Sequence, residues 1–268
     1  VSREKPETRL QITNSMKKLP ALLSIAILLT TLHSHASEEP AKLVAPNCAV
    51  APAHRLDSSG WKNRHQKITQ NVQSGDPKLV LIGDSVTHNF DQNSHADLRK
   101  KYLDQYNTVN LGISGDRTEN VIWRLQNGAL DGIKPMVATL LIGTNNTDGN
   151  HYLKISTPEE LAAGIWKICS IVREMSPDTE IVLLGILPYG YKANHRDETN
   201  MATNKIIAQF PNNDSKIHYH DLGHLFLKKE GWGKVRKDLM PDHLHPNVAG
   251  SELMLKTLAP IISTLMEK

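Results

Sequence analysis

The sequence predicts a three-layer α/β/α sandwich built on a parallel sheet of about five strands. Three observations predict it. Short apolar runs bounded by turn residues alternate with helix-length patterns from residue 60 to residue 266. Several of those runs, KLVLIG and VATLLIG among them, are apolar throughout instead of at every second position, as strands buried on both faces should be. Helix-length segments between strands imply right-handed crossovers, which leave the strands parallel and cover the sheet on both sides.

The elements follow in order. Residues 37–59 are Pro- and Ala-rich without a clear period and read as an N-terminal arm. A polar helix is expected over 60–74, with Trp61, Ile68 and Val72 buried. Strands are expected at 78–83 (KLVLIG), 108–111 (TVNL), 137–143 (VATLLIG), 181–187 (IVLLGIL) and 216–219 (KIHY). The helical patterns between and after them cover 94–103, 117–125, 158–175, 197–210 and 247–266. No internal repeat or low-complexity tract interrupts them, so 60–268 reads as a single domain.

Ahead of the arm, residues 16–36 read MKKLPALLSIAILLTTLHSHA. A basic pair, Lys17 and Lys18, precedes an apolar run that ends at Leu32, and small residues stand at Ser34 and Ala36. That is the layout of a secretory signal peptide cleaved near Ala36. A membrane anchor is the competing reading, but the run falls short of the roughly 18 to 20 residues needed to span. Residues 1–15 then read as upstream sequence from a start placed too early.

The leader dominates the charge balance. The whole chain has 31 Lys and Arg against 28 Asp and Glu, a net +3. Residues 1–36 hold Arg3, Lys5, Arg9, Lys17 and Lys18 against Glu4 and Glu7, so the remainder carries 26 of each sign. A neutral mature chain argues against nucleic acid or an anionic membrane as partner. Cys48 and Cys169 are the two cysteines. In an exported protein they could pair, but Cys169 in IWKICSIV also suits a buried thiol.

In an open parallel sheet, sites gather beyond the C-terminal strand ends. Three strands here run into polar loops: Gly83-Asp84-Ser85, Gly112-Ile113-Ser114-Gly115-Asp116 and Gly143-Thr144-Asn145-Asn146. All three should open on one sheet edge. A hydrolytic serine needs a base, a group orienting that base, and donors for an oxyanion. Near the C-terminus, LMPDHLHPN supplies Asp242 and His245, which share one side of a helical turn, while His243 points elsewhere. Gly115 can present a backbone N–H at close range, Asn145 an amide, and Ser85 its own N–H if it begins a helix.

These four blocks resemble those of the SGNH hydrolases, also called the GDSL esterase/lipase family, whose name comes from its Ser, Gly, Asn and His residues. The stretches NLGISGDRTENVIWRLQNGALDGIKP and LLIGTNN look most like the branch containing the platelet-activating-factor acetylhydrolase catalytic subunits. The resemblance covers about residues 60 to 266, with Val86 in place of the usual leucine. It implies a flavodoxin-like strand order, 2-1-3-4-5. It also implies Ser85 as nucleophile, His245 as base, Asp242 as its partner, and Gly115 and Asn145 completing the oxyanion hole with Ser85. The acetylhydrolase relatives form dimers, so a homodimer is the partner it implies.

Val86, Thr144 and Leu244 flank the catalytic loops and are expected to wall a small acyl site. With only 5% aromatic residues and no amphipathic lid, a lipid-docking surface is not expected. Compartment and resemblance together point to removal of acetyl groups from a carbohydrate, a small-molecule or glycan ester. The alternatives are a lysophospholipid, an acetylated phospholipid, a thioester, or a catalytically inactive glycan-binding module. The sequence leaves the alcohol half to loops such as 148–156 and 189–196.

Other residues carry structural expectations. Asp116 and Glu119 form an Asp-x-x-Glu capping box, Asp84 braces its turn, and Trp123 is core instead of a sugar platform. His218, His220 and His224 have metal-compatible spacing, but no cysteine or carboxylate cluster supports them, and a serine mechanism needs no metal or cofactor.

Overall fold

The computed structural model describes residues 47–228 and 235–268. The leader and the first part of the arm lie outside the described residues. The described residues belong to one compact unit.

Five strands, β1 (Leu79–Gly83), β2 (Val109–Asn110), β3 (Val137–Leu141), β4 (Glu180–Leu184) and β5 (Ile217–His220), make one sheet in the order 2-1-3-4-5. Every pairing is parallel. The expected fold class and strand order therefore both hold. Three strands are clearly shorter than the runs that predict them: β2 keeps only 109–110 of 108–111, and residues 142–143 and 185–187 leave the ladder and continue as loops toward the site.

Seven α-helices accompany these strands among the described residues: α1 (Ser59–Ser74), α2 (Ser85–His88), α3 (Ala96–Tyr102), α4 (Thr118–Arg124), α5 (Pro158–Met175), α6 (His195–Ile207) and α7 (Val248–Met266). Strand side chains alternate between two cores. Val80, Ile82, Ala138, Leu140, Ile181 and Leu183 join α1, α4 and α5 on one face. Leu79, Leu81, Val137, Leu141, Val182 and Leu184 join α3 and α7 on the other. Each such Val, Leu or Ile contributes about 1.5–3 kcal/mol relative to exposure, which is why the strands read as unbroken apolar runs.

Caps place the helix starts where the sequence puts polar residues. The Thr157 hydroxyl accepts from Glu160 N at 3.2 Å while Glu160 Oε2 accepts from Thr157 N at 3.0 Å, and Pro158 fills the first turn of α5. Asn247 caps α7 through Gly250 N at 3.0 Å.

Two structural expectations need correction. Asp116 does not cap α4. The Arg117 N–H donates to Asn120 Oδ1 at 3.0 Å, while the Asp116 carboxylate turns inward to Trp61 Nε1 and Arg124 Nε, both at 2.7 Å. Burial of that ion pair outweighs the local motif. Trp123 is only partly buried; it packs against the core edge beside His54, Trp61 and His65. Of the two cysteine readings, Cys169 is a buried thiol in α5, pushed up to about 12 by burial, and no disulfide joins it to Cys48.

Candidate active site

Ser85 begins at a close approach. Strand β1 ends at Gly83, where an added Cβ would collide with Thr87 and the Leu141 carbonyl, so only glycine lets the chain turn directly into α2. Asp84 caps that turn, its Oδ1 accepting from Val86 N at 3.0 Å. Ser85 is thereby the first residue of α2, with an N–H that has no acceptor inside the helix.

The partners arrive from the far end of the chain. His245 Nε2 lies 2.8 Å from Ser85 Oγ, and His245 Nδ1 lies 2.6 Å from Asp242 Oδ2. The 242–245 segment is a turn instead of a helix. Asp242 Oδ1 holds it by accepting from Leu244 N at 3.1 Å and His245 N at 2.7 Å. Burial alone would raise the Asp242 pKa, but those two N–H groups and the imidazole hold it below the usual carboxylate range. The carboxylate therefore stays charged where it meets the ring. His243 adopts φ +56° and packs edge-on against Tyr189 and Tyr191, at centroid distances of 5.4 and 4.7 Å.

The other two loops converge on the same edge. Asn145 Nδ2 donates to the Asp116 carbonyl at 2.9 Å, using one of its two hydrogens. Gly115 has φ +77°, a conformation that disfavours other residues, and its carbonyl accepts from the Tyr152 hydroxyl at 2.6 Å. With the Gly115 carbonyl held in this way, its loop is fixed beside Ser85 and Asn145, which line the same cleft. Behind the loop, Asp116 and Arg124 form a fully buried ion pair at 2.7 Å. Burial pushes the Asp116 carboxyl up and the Arg124 guanidinium down, each opposed by its partner's charge. Arg55, from the arm, donates to the Ser114 carbonyl at 3.0 Å and reaches Asp116 Oδ1 at 3.3 Å. No sequence pattern identified that bond.

Two spaces open beside Ser85. One is a recess of about 10 Å³ whose lining includes Val86, Thr144 and Leu244 with Asp84, Ile142 and Ile186. That is near the least volume that admits one water molecule. The Asp84 carboxyl beneath it is pushed up to about 7 by burial, against the Val86 N–H bond and the charge of His245. The other is an open cleft of about 630 Å³ reached by Ser85, Gly115, Asn145 and His245, and extended by Asn89, Gln92, Asp148 and His151. Of the two loops expected to carry the alcohol half, 148–156 lines this cleft. Residues 189–196 do not; Arg196 instead braces from beneath, donating to Thr144 Oγ1 at 3.2 Å and pairing with Asp148 at 3.3 Å. Asn89 and Gln92 carried no sequence signal.

Among the described residues no group of three or more His, Cys, Asp or Glu side chains could hold a metal ion. His218 pairs with Glu180 at 2.6 Å, and His224 Nδ1 lies 3.0 Å from the Asp221 carbonyl. No helix among the described residues is long and apolar enough to cross a membrane.

This sheet order, with a serine at the end of the first strand and two further loops converging on it, is the framework of the SGNH/GDSL hydrolases. The chain belongs to the GDSL-like Lipase/Acylhydrolase family, whose model matches residues 81–253, and it is an ester-hydrolysing enzyme. It is 28% identical over 225 residues to the platelet-activating factor acetylhydrolase IB subunit alpha2 of Rattus norvegicus, covering 83% of this chain and 93% of that protein. Among solved structures, a GDSL-like lipase from Bacteroides thetaiotaomicron superimposes with a TM-score of 0.59 at 19% identity, covering 75% of this chain and 98% of the other. A catalytic mutant of an acetylxylan esterase from Geobacillus stearothermophilus gives 0.53 at 20% identity, covering 70% and 95%.

Proposed function

We propose that the protein is an exported serine esterase that removes acetyl groups from hydroxyls of a carbohydrate, with Ser85, His245 and Asp242 as its catalytic residues. The observation that carries this reading is the hydrogen-bonded row from Ser85 Oγ through His245 to Asp242, at 2.8 and 2.6 Å, set between a small recess and a wide cleft. A small acyl group and a large alcohol match those two spaces.

In the proposed reaction, His245 Nε2 takes the proton from Ser85 Oγ as that oxygen attacks the ester carbonyl. The tetrahedral oxyanion accepts from the N–H groups of Ser85 and Gly115 and from the second hydrogen of Asn145 Nδ2. Collapse breaks the bond to the alcohol oxygen, which leaves with the proton held by His245. Water then attacks the acetyl-serine, giving one proton to His245; acetic acid leaves with the other, and the proton on His245 returns to Ser85 Oγ. Asp242 keeps the imidazole oriented and its transient charge compensated.

Export is supported by the leader at residues 16–36, and a carbohydrate alcohol by that compartment and by the acetylxylan esterase likeness. The acetylhydrolase likeness favours a second reading, in which the alcohol is a glycerophospholipid. The test uses protein from Ser37 onward on p-nitrophenyl esters from acetate to long acyl chains, beside Ser85→Ala. Turnover that is highest on acetate, collapses with chain length and vanishes in the variant is expected. Activity that rises with chain length would sink the acetyl assignment, and activity surviving in Ser85→Ala would sink the nucleophile.

A further inference from the structure

The wide cleft has two polar walls, each braced by an internal hydrogen bond. On one wall, just beyond α2, Gln92 Nε2 donates to Asn89 Oδ1 at 2.7 Å. That bond uses one end of each amide and leaves Asn89 Nδ2 as a donor and Gln92 Oε1 as an acceptor. On the other wall, His151 Nδ1 lies 2.7 Å from Asp148 Oδ2. Asp148 is itself held by Asn150 N at 3.0 Å and by the Arg196 guanidinium at 3.3 Å, and it is nearly buried. The carboxylate occupies Nδ1, so the exposed Nε2 is the ring nitrogen left to hydrogen-bond in the cleft. Ser85 and His245 line the same cleft.

The chemistry of these groups selects among alcohols. Amide and imidazole hydrogen-bonding groups in one cleft match hydroxyl groups, which both donate and accept. They do not match a phosphodiester, which only accepts and calls for a cation. Among the described residues no Lys or Arg belongs to the lining; Arg55, beside Gly115 at its edge, is committed to the Ser114 carbonyl and the Asp116 carboxylate, and the charge of Arg196 to Asp148. An alkyl tail fares no better, since among the described residues Leu244 is the only aliphatic side chain in the lining.

We infer that this cleft is the binding site for the alcohol half of the substrate, a polyhydroxylated sugar unit held by Asn89 and Gln92 on one wall and His151 on the other. The inference rests on the reading of Ser85 as nucleophile given above. It makes Gln92 and His151 specificity determinants for the leaving group, separate from the acyl recess.

The experiment compares two acetyl esters on one enzyme: p-nitrophenyl acetate, whose leaving group has no hydroxyls, and tetra-O-acetyl-xylopyranose partly deacetylated to expose hydroxyls. The readout is the ratio of kcat/KM on the sugar ester to kcat/KM on p-nitrophenyl acetate. This ratio is insensitive to loss of folded protein, because both substrates meet the same active sites. In Gln92→Leu and in His151→Phe the ratio should fall about tenfold, the equivalent of one lost hydrogen bond, through KM on the sugar ester. His151→Gln, which restores a hydrogen-bonding group, should recover part of it. A ratio within twofold of wild type in both apolar variants would overturn the inference. So would a wild-type preference for a 2-acetyl alkyl phosphocholine over the sugar ester. If the wild type turns over p-nitrophenyl acetate and Ser85→Ala does not, the nucleophile stands whatever the ratio does. If the wild type turns over neither ester, the reading of Ser85 fails and this inference falls with it.

Discussion

Asn145 Nδ2 donates a 2.9 Å hydrogen bond to the carbonyl oxygen of Asp116. This bond joins the loop after β3 to the loop after β2, so two of the three places from which oxyanion donors are proposed to come are one mechanical unit. The Asp116 side chain anchors that unit in turn, through Trp61 in α1, Arg124 in α4 and Arg55 in the arm. Preorganised donors cost no rearrangement when charge develops, which is the physical value of such bracing.

Asn145→Ala removes both the brace and the proposed donor. Turnover on p-nitrophenyl acetate should fall by about 10² to 10³ in kcat, the usual cost of one oxyanion donor, with KM changing far less. Near-wild-type kcat in steady-state kinetics would remove Asn145 from the oxyanion hole.

Arg124→Met leaves the Asp116 carboxylate buried at the core with its main charge partner gone. Breaking a buried pair from one side should cost about 3–5 kcal/mol, measured by urea denaturation. Arg124→Met combined with Asp116→Leu removes both charges and should be less destabilised than the single variant. A double variant as unstable as the sum of the two singles would mean that the pair is not coupled.

The recess near Ser85 should set the acyl limit. Leu244→Ala opens its wall, and the kcat/KM ratio of butyrate to acetate esters should rise by about 10-fold or more, since each extra methylene accommodated is worth about 1–3 kcal/mol. An unchanged ratio would place the acyl group elsewhere.

Asp84 carries a pH signature. Its folded pKa is about 7 against an ordinary value of 3.8, so between those values the folded chain binds more protons than the unfolded one. Its contribution to stability is full below about pH 4 and is lost as pH rises toward about 7. Asp84→Asn does not titrate and retains a good N-cap for α2. The Tm of the variant minus that of the wild type should therefore rise through this window and level above it. A difference that stays flat from pH 4 to 8 would show that Asp84 is not perturbed.

The sequence by itself determined the elements whose causes are local. The runs at 79–83 and 137–141 were legible because strands buried on both faces are apolar throughout, and α5 because Thr157, Pro158 and Glu160 write its start into adjacent positions. It also nominated Ser85, Asp242 and His245, since residue type and order along the chain survive without coordinates. Only the tertiary structure decided the rest. It brings His245 to Ser85 across 160 residues, turns Asp116 inward away from the capping role its local pattern predicts, and gathers Asn89, Gln92 and His151 into one cleft. No periodicity or motif encodes such pairings, because they arise when crossovers bring distant loops to one sheet edge. There, a buried charge or a shared cleft outweighs any local preference.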